Sequence, residues 1–272
     1  MREPEAVIVG IDGSRSATEA AVWAVDEAVS RDLPLRLVHA LRHGDSMAVA
    51  KTVVHEAFTA IESTEEPVKL EAEIVRDSPV HALRSASRGA AMLCVGSTGL
   101  SRRGRGRIST VAAALASSAH CPVAVIGGSG ARSRQGWVVA ELEDVEPSGG
   151  GDVTLTRAVE EASLRHAALH VVATWHSRYT DIHGPHAVAG GNRLVRARLD
   201  RRLADWRSRH PGLDVQPVAV HGNFINYVVR HADSIQSIVV SHDRADGLAE
   251  LVGPPGRDVL RETGCVVLVC ER

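Results

Sequence analysis

Residues 23–41 of this 272-residue chain read WAVDEAVSRDLPLRLVHAL, and residues 157–175 read RAVEEASLRHAALHVVATW; at a fixed offset of 134 they share seven of nineteen residues. Each is a helical pattern running into a strand-like one. The ends of the two halves match as well. Residues 92–126 align with 236–270 at an offset of 144, and Cys121 falls on Cys265, each just before a terminal apolar run. Two matched segments in the same order, with about ten extra residues in the middle of the second copy, indicate a tandem duplication. A chain of this length carries about two domains. The repeat makes them copies, 1–130 and 136–272, joined by the Gly-, Ser- and Arg-rich GGSGARSRQG at 127–136.

Within the first copy, strand and helix signals alternate. AVIVGID (6–12) is a continuous apolar run, as in buried parallel strands. Ser14 or Ser16 caps a helix over about 17–31, with Glu19 at capping-box spacing from Ser16. LRLVHAL is a second strand, 46–63 a second helix and the alternating VKLEAEIV a third strand. Ser78-Pro79 opens a helix to about 88, with proline at its first position. AMLCVG, a helix over 109–119 and PVAVI complete the copy. This order implies right-handed crossovers. The expected fold is α/β: two tandem, doubly wound, five-stranded parallel sheets flanked by helices, Rossmann-like in outline.

Composition narrows the partners. The formal net charge is −2, so no global basic excess exists to grip a polyanion, and with 3% aromatic residues there are few platforms for stacking single-stranded bases. No run of about 18 apolar residues occurs, and MREPEAVIVGIDGS lacks the basic and apolar regions of a signal peptide. The four cysteines form no CxxC pair, which argues against a disulfide framework or zinc ribbon. The expectation is a cytoplasmic protein with reduced thiols and without nucleic-acid or membrane partners.

Open parallel sheets bind ligands at the carboxyl ends of their strands. Two loops there stand out: Gly10-Ile11-Asp12-Gly13-Ser14 after the first strand, and Gly96-Ser97-Thr98-Gly99 after the fourth, followed by a helix opening at Ser109-Thr110-Val111. The second has the logic of an anion site. Glycines permit close backbone approach, and a helix N-terminus supplies free N–H groups. Arg102, Arg103, Arg105 and Arg107 lie between them and could close over a polyphosphate. Asp12 could accept from a ribose hydroxyl. Each feature alone also reads as a tight turn, a solvated loop or a helix cap; their convergence on one crevice favours binding. The remaining candidates are weak. His166, His170 and His176 are spaced irregularly for a metal site, His183 and His186 have few partners, no GxSxG elbow occurs, and Cys94 falls in a buried strand.

VGIDGS, VGSTG and HCPVAVI together resemble the universal stress protein family, across nearly the whole chain as two tandem domains of the kind found in mycobacteria and related actinobacteria. The family's nucleotide motif is Gly, two residues, Gly, nine residues, then Gly and Ser or Thr. Gly96, Gly99 and Thr110 fit it, and Ser109 stands where the last Gly would be. The resemblance implies ATP, with or without magnesium: Asp12 at the adenosine, Gly10, Ile11 and Ala40 flanking the base, and Gly96, Gly99, Ser109, Thr110 and Val111 at ribose and phosphates, with Arg102 and Arg103 beside them. At offset 144 the second half puts Val240 and Asp243 at the two glycines and Pro254 at Thr110, and Leu142 falls about where Asp12 would. The second copy is therefore expected to bind no ATP. The resemblance also implies pairing of terminal strands: 122–126 and 266–270 would pair within the chain as a pseudo-dimer, with homodimerisation left to other surfaces. The resulting expectation is a nucleotide-responsive stress or regulatory protein holding about one ATP per chain, not a dedicated enzyme, and acting on an unidentified protein partner. The alternatives are a nucleotide-free interaction scaffold and an adenine-nucleotide-dependent enzyme of low turnover.

Overall fold

The computed structural model describes residues 5–98, 110–128, 135–142, 149–176, 185–242 and 264–270. Two compact units emerge, Met1–Arg134 with His242–Arg272, and Gln135–Ser241.

The first unit runs β1 (Ala6–Ile11), α1 (Arg15–Ser30), β2 (Leu35–Ala40), α2 (Met47–Glu62), β3 (Leu70–Val75), α3 (Pro79–Ala86), β4 (Ala90–Gly96), α4 (Thr110–Ser118) and β5 (Val123–Ile126). Its strands lie in the order β3-β2-β1-β4-β5, all parallel. The order reverses between β1 and β4, which makes that boundary the switch point of the doubly wound sheet. One face, carrying Ile8, Val38, Leu93, Val95 and Val125, buries Leu83 of α3 and Leu115 of α4. Val7 and Val9, fully buried, alternate to the opposite face, where α1 packs on the strands and on α2. Each such buried side chain contributes about 1.5–3 kcal/mol relative to exposure.

The second unit contains β6 (Trp137–Leu142), α5 (Gly149–Leu164), β7 (Leu169–Trp175), α6 (Pro185–Arg209), β8 (Val215–His221), α7 (Phe224–Arg230) and β9 (Ile235–Val240), with parallel strands in the order β9-β6-β7-β8. The last strand, β10 (Val266–Val269), pairs antiparallel with β5, Val266 opposite Ile126 and Val269 opposite Val123. All four of its residues are buried. The sequence alone assigns 136–272 to the second domain; His242–Arg272 group with the first unit because the ladder of β10 is formed with β5.

The duplication is visible in details that apolar patterning does not require. The β1–β4 register slips between Ala6 and Val7, and the β6–β9 register slips at the same place, between Trp137 and Val138. Asp32 (φ 54°) and His166 (φ 50°), 134 residues apart, are both left-handed residues closing a helix. Leu33 N–H then donates to Ala28 C=O, as Ala167 N–H does to Ala162 C=O. The buried Glu27 pairs with Arg31 at 3.2 Å, and the buried Glu161 with Arg165 at 3.2 Å. The insertion lies in the β7–β8 crossover: Leu169 and Val215 are register partners 46 residues apart, against 35 for Leu35 and Leu70. Helix α6 is correspondingly long, and its Gly191 sits where a Cβ would run into the indole of Trp175.

Two local expectations are corrected. Ser14 is the N-cap of α1, accepting from Ala17 N–H at 3.2 Å, and the helix begins at Arg15. Ser16 forms no capping box: Glu19 pairs with Arg15, and Ser16 Oγ accepts from Thr98 N–H at 3.3 Å. A tertiary contact outcompetes the local one.

Candidate functional site

The carboxyl ends of β2, β1 and β4 lie side by side. Ile11 is in register with His39, Ala40 with Val75, and continuing the β1–β4 register by two residues brings Ile11 level with Gly96. At a strand spacing of about 4.8 Å, the row from Ala40 to Gly96 spans roughly 10 Å. Gly10, Ile11, Asp12, Ala40 and Gly96 are thus brought to one edge of the sheet at its switch point. Helix α4 begins at Thr110, and the partly buried Val111 packs against the core cluster of Leu93, Leu115 and Val123. Gly99, Arg102, Arg103 and Ser109 lie outside the described residues.

The loop after β1 is shaped by its own side chains. Asp12 is half-buried, and its Oδ1 accepts from Ser14 N–H at 3.0 Å, closing an Asx turn. Gly13 has φ +80°, and a Cβ there would come within 2.9 Å of Val53 on α2. A ring nitrogen of His39 meets Ile11 C=O at 2.9 Å, fixing the end of β1 to β2.

The loop after β4 is held from both sides. Ser97, buried, donates its N–H to Ile126 C=O at 2.9 Å and its hydroxyl to Gly127 C=O at 3.1 Å. Gly127 N–H donates in turn to Cys265 C=O at 3.1 Å, just before β10. A Cβ on Gly96 would lie 2.6 Å from the Ser16 carbonyl carbon. Gly10 likewise faces Leu83, 2.7 Å from where its Cβ would be. Gly96 is required by packing against the Ser16 backbone, whereas a Cβ at Gly10 would displace the end of the Leu83 side chain. Ser16, His39 and Ser97 are positioning residues that motif spacing does not reveal, because each acts through a strand or helix distant in sequence.

At the same sheet edge, beyond β3, His81 lies against Asp77. Its hydrogen bond, and then that of Ser78 N–H, hold the Asp77 carboxyl below its usual range.

Register alters the comparison of the two halves. Val7 pairs with Leu35 and Val138 with Leu169, so Ala6 corresponds to Trp137, Ile11 to Leu142 and Asp12 to Glu143. The expectation that Leu142 replaces Asp12 is therefore corrected: an acidic residue follows β6 as one follows β1. Six residues separate β6 from α5, against three between β1 and α1. Val9 pairs with Cys94 and Ala140 with Val239, so Gly96 corresponds to Ser241 rather than Val240. Ser241 carries the Cβ that Gly96 has no room for.

The remaining histidine candidates have structural surroundings. His166 is the left-handed residue closing α5, and His170 stacks on Trp137 with centroids 4.1 Å apart. Among the described residues, no helix is long and apolar enough to cross a membrane.

Comparison with known proteins agrees with this architecture. The profile of the universal stress protein family matches residues 4–127. Universal stress protein Rv2028c of Mycobacterium tuberculosis H37Rv is 40% identical over 285 residues, covering 98% of this chain and 96% of the relative. Universal stress protein Rv3134c of the same strain is 41% identical over 279 residues, with the same coverage. A crystal structure of a universal stress protein from Archaeoglobus fulgidus superposes with a TM-score of 0.68 over 98% of both chains at 16% identity, which speaks to the fold. With 40% identity to mycobacterial relatives along both halves, the chain belongs to the universal stress protein family.

Proposed function

We propose that the first unit binds ATP, about one per chain, and that the protein responds to nucleotide as a regulatory rather than a catalytic molecule. The observation that carries this reading is the convergence of Ile11-Asp12, Ala40 and Gly96 on the switch point between β1 and β4, beside the start of α4. There Asp12 would accept from ribose hydroxyls, and the backbone of Ile11 and Ala40 would flank the base. Gly96, Gly99, Ser109, Thr110 and Val111 would line the ribose and phosphates, with Arg102 and Arg103 over the outer phosphates. No Phe, Tyr or Trp occurs among these residues, so the adenine would rest on aliphatic and backbone atoms.

The second half of the sequence keeps an acidic residue after β6 but has three more residues between its first strand and first helix, a Cβ at Ser241, and Pro254-Pro255 where the first half has Ser and Thr. Proline offers no N–H to a phosphate. Occupancy of the first site would act on the loop at Ser97, which is tied through Gly127 to the segment entering β10. That is a route by which bound nucleotide changes what a protein partner meets.

Thermal melting with and without ATP tests the reading. Bound nucleotide at about a hundredfold excess over its dissociation constant stabilises the folded chain by about 2.7 kcal/mol. Asp12→Asn keeps the Asx turn yet removes the charge, and Asp12→Ala removes both; a smaller ATP-dependent rise in each is expected. A melting point indifferent to ATP in the wild type, with no bound nucleotide after purification, favours a nucleotide-free scaffold and overturns the proposal.

A further inference from the structure

Helix α2 has two working faces. Ala50, Ala57 and Ile61 are buried and anchor it to the sheet. A neighbouring stripe, Lys51, Val54, Phe58 and Glu62, recurs at helical spacing and turns toward β3, together with His55. Ala72 and Ile74, two apart on β3, present the same side of the strand. Between them lies an open cavity of about 490 Å³, a size typical of small-molecule sites. Phe58 and Ile74 are only half-buried, and β3 is the outermost strand, so no further strand covers this side among the described residues.

The groove is polarised along its length. Lys51 and His55, one turn apart and exposed, form no side-chain ion pair among the described residues. Val54, Phe58 and Ile74 make an apolar floor. Glu62, also exposed, stands seven residues past His55, roughly 10 Å along the helix axis. The Lys51 ammonium with an imidazole N–H beside it, an apolar middle and the Glu62 carboxylate at the far end suit a ligand with one carboxylate and an alkyl chain of limited length. A second carboxylate at the far end would meet Glu62.

We infer that this groove binds a medium-chain aliphatic monocarboxylate, its head on Lys51 and His55 and its chain along Val54, Phe58 and Ile74. The residues lining this groove are distinct from those of the switch-point crevice.

Calorimetric titration of the full-length protein with decanoate and with decanedioate, both below micellar concentrations, tests this. Decanoate is expected to bind saturably at one site, and decanedioate about tenfold or more weaker because its distal carboxylate faces Glu62. Lys51→Glu, an exposed substitution, should abolish decanoate binding with unchanged circular dichroism. Glu62→Gln should close most of the gap between decanoate and decanedioate. Absence of saturable decanoate binding to the wild type overturns the inference. So does binding unaffected by Lys51→Glu, or equal affinity for the two acids.

Discussion

Ser16 and Thr98 are 82 residues apart in sequence, yet the N–H of Thr98 donates to Ser16 Oγ at 3.3 Å, and Gly96 lies so close to Ser16 that a Cβ would overlap its backbone. The first turn of α1 and the end of β4 are thereby one packed unit beneath the candidate site. Gly96→Ala forces the two apart and is expected to cost about 1–3 kcal/mol as overpacking. Ser16→Ala removes only a hydrogen bond and should cost about 1 kcal/mol. Urea denaturation of both variants checks the order; equal losses would contradict it.

Gly13 is a second point where backbone dictates residue type. Its φ of +80° and the proximity of Val53 leave no room for a side chain. Gly13→Ala should lose about 1–2 kcal/mol from the left-handed conformation alone. Adding Val53→Ala should recover the part due to crowding and not the part due to φ. A double-mutant cycle measures the split.

The terminal strand supports the first unit. Val267 is fully buried opposite Val125. Val267→Asp places a carboxylate in an apolar layer and is expected to cost on the order of 3 kcal/mol. Hydrogen exchange should then quicken at the β5 amides and at Ser97, whose bonds lead through Gly127 to Cys265. Exchange confined to 264–270, with β5 unchanged, would show that the strand is dispensable.

The second unit is expected to carry a pH dependence. Burial lowers the His170 imidazole below its ordinary value; the Asp214 carboxylate opposes the shift and His231 adds to it. His170 stacks on Trp137 and meets the Tyr227 hydroxyl at 3.1 Å. The unfolded chain therefore takes up this proton at a higher pH than the folded one. Stability from this group is full above the unfolded value of about 6.5 and declines as the pH falls below it. His170→Phe should flatten the dependence of melting temperature between about pH 7.5 and 5.5. An unchanged slope would place the dependence elsewhere.

Much of this fold is legible in the residues. Continuous apolar runs such as AVIVGI and AAMLCVG can only be buried parallel strands here, and the helices between them follow at the expected places. What escaped is tertiary. Ser14 and Ser16 both precede an apolar helix, and only the contact with Thr98 decides which one caps it. An offset of 134, correct for α1 against α5 and for β2 against β7, fails at the first strand, where Val7 corresponds to Val138, because six residues separate β6 from α5 and only three separate β1 from α1. Judged from its apolar run alone, the first strand of the second half puts Leu142 about where Asp12 would fall, whereas register points to Glu143. The glycines of the candidate site could be found by spacing, but the packing that requires Gly96 depends on Ser16, which no local pattern connects to it.

The number of ATP molecules bound per chain, measured by equilibrium dialysis on the full-length protein, tests the central claim most directly. The account predicts saturation at about one per chain, loss of binding in Gly99→Glu, and retention in Ser241→Asp, whose position belongs to the second unit. No saturable binding, saturation at two per chain, or binding indifferent to Gly99→Glu would contradict it.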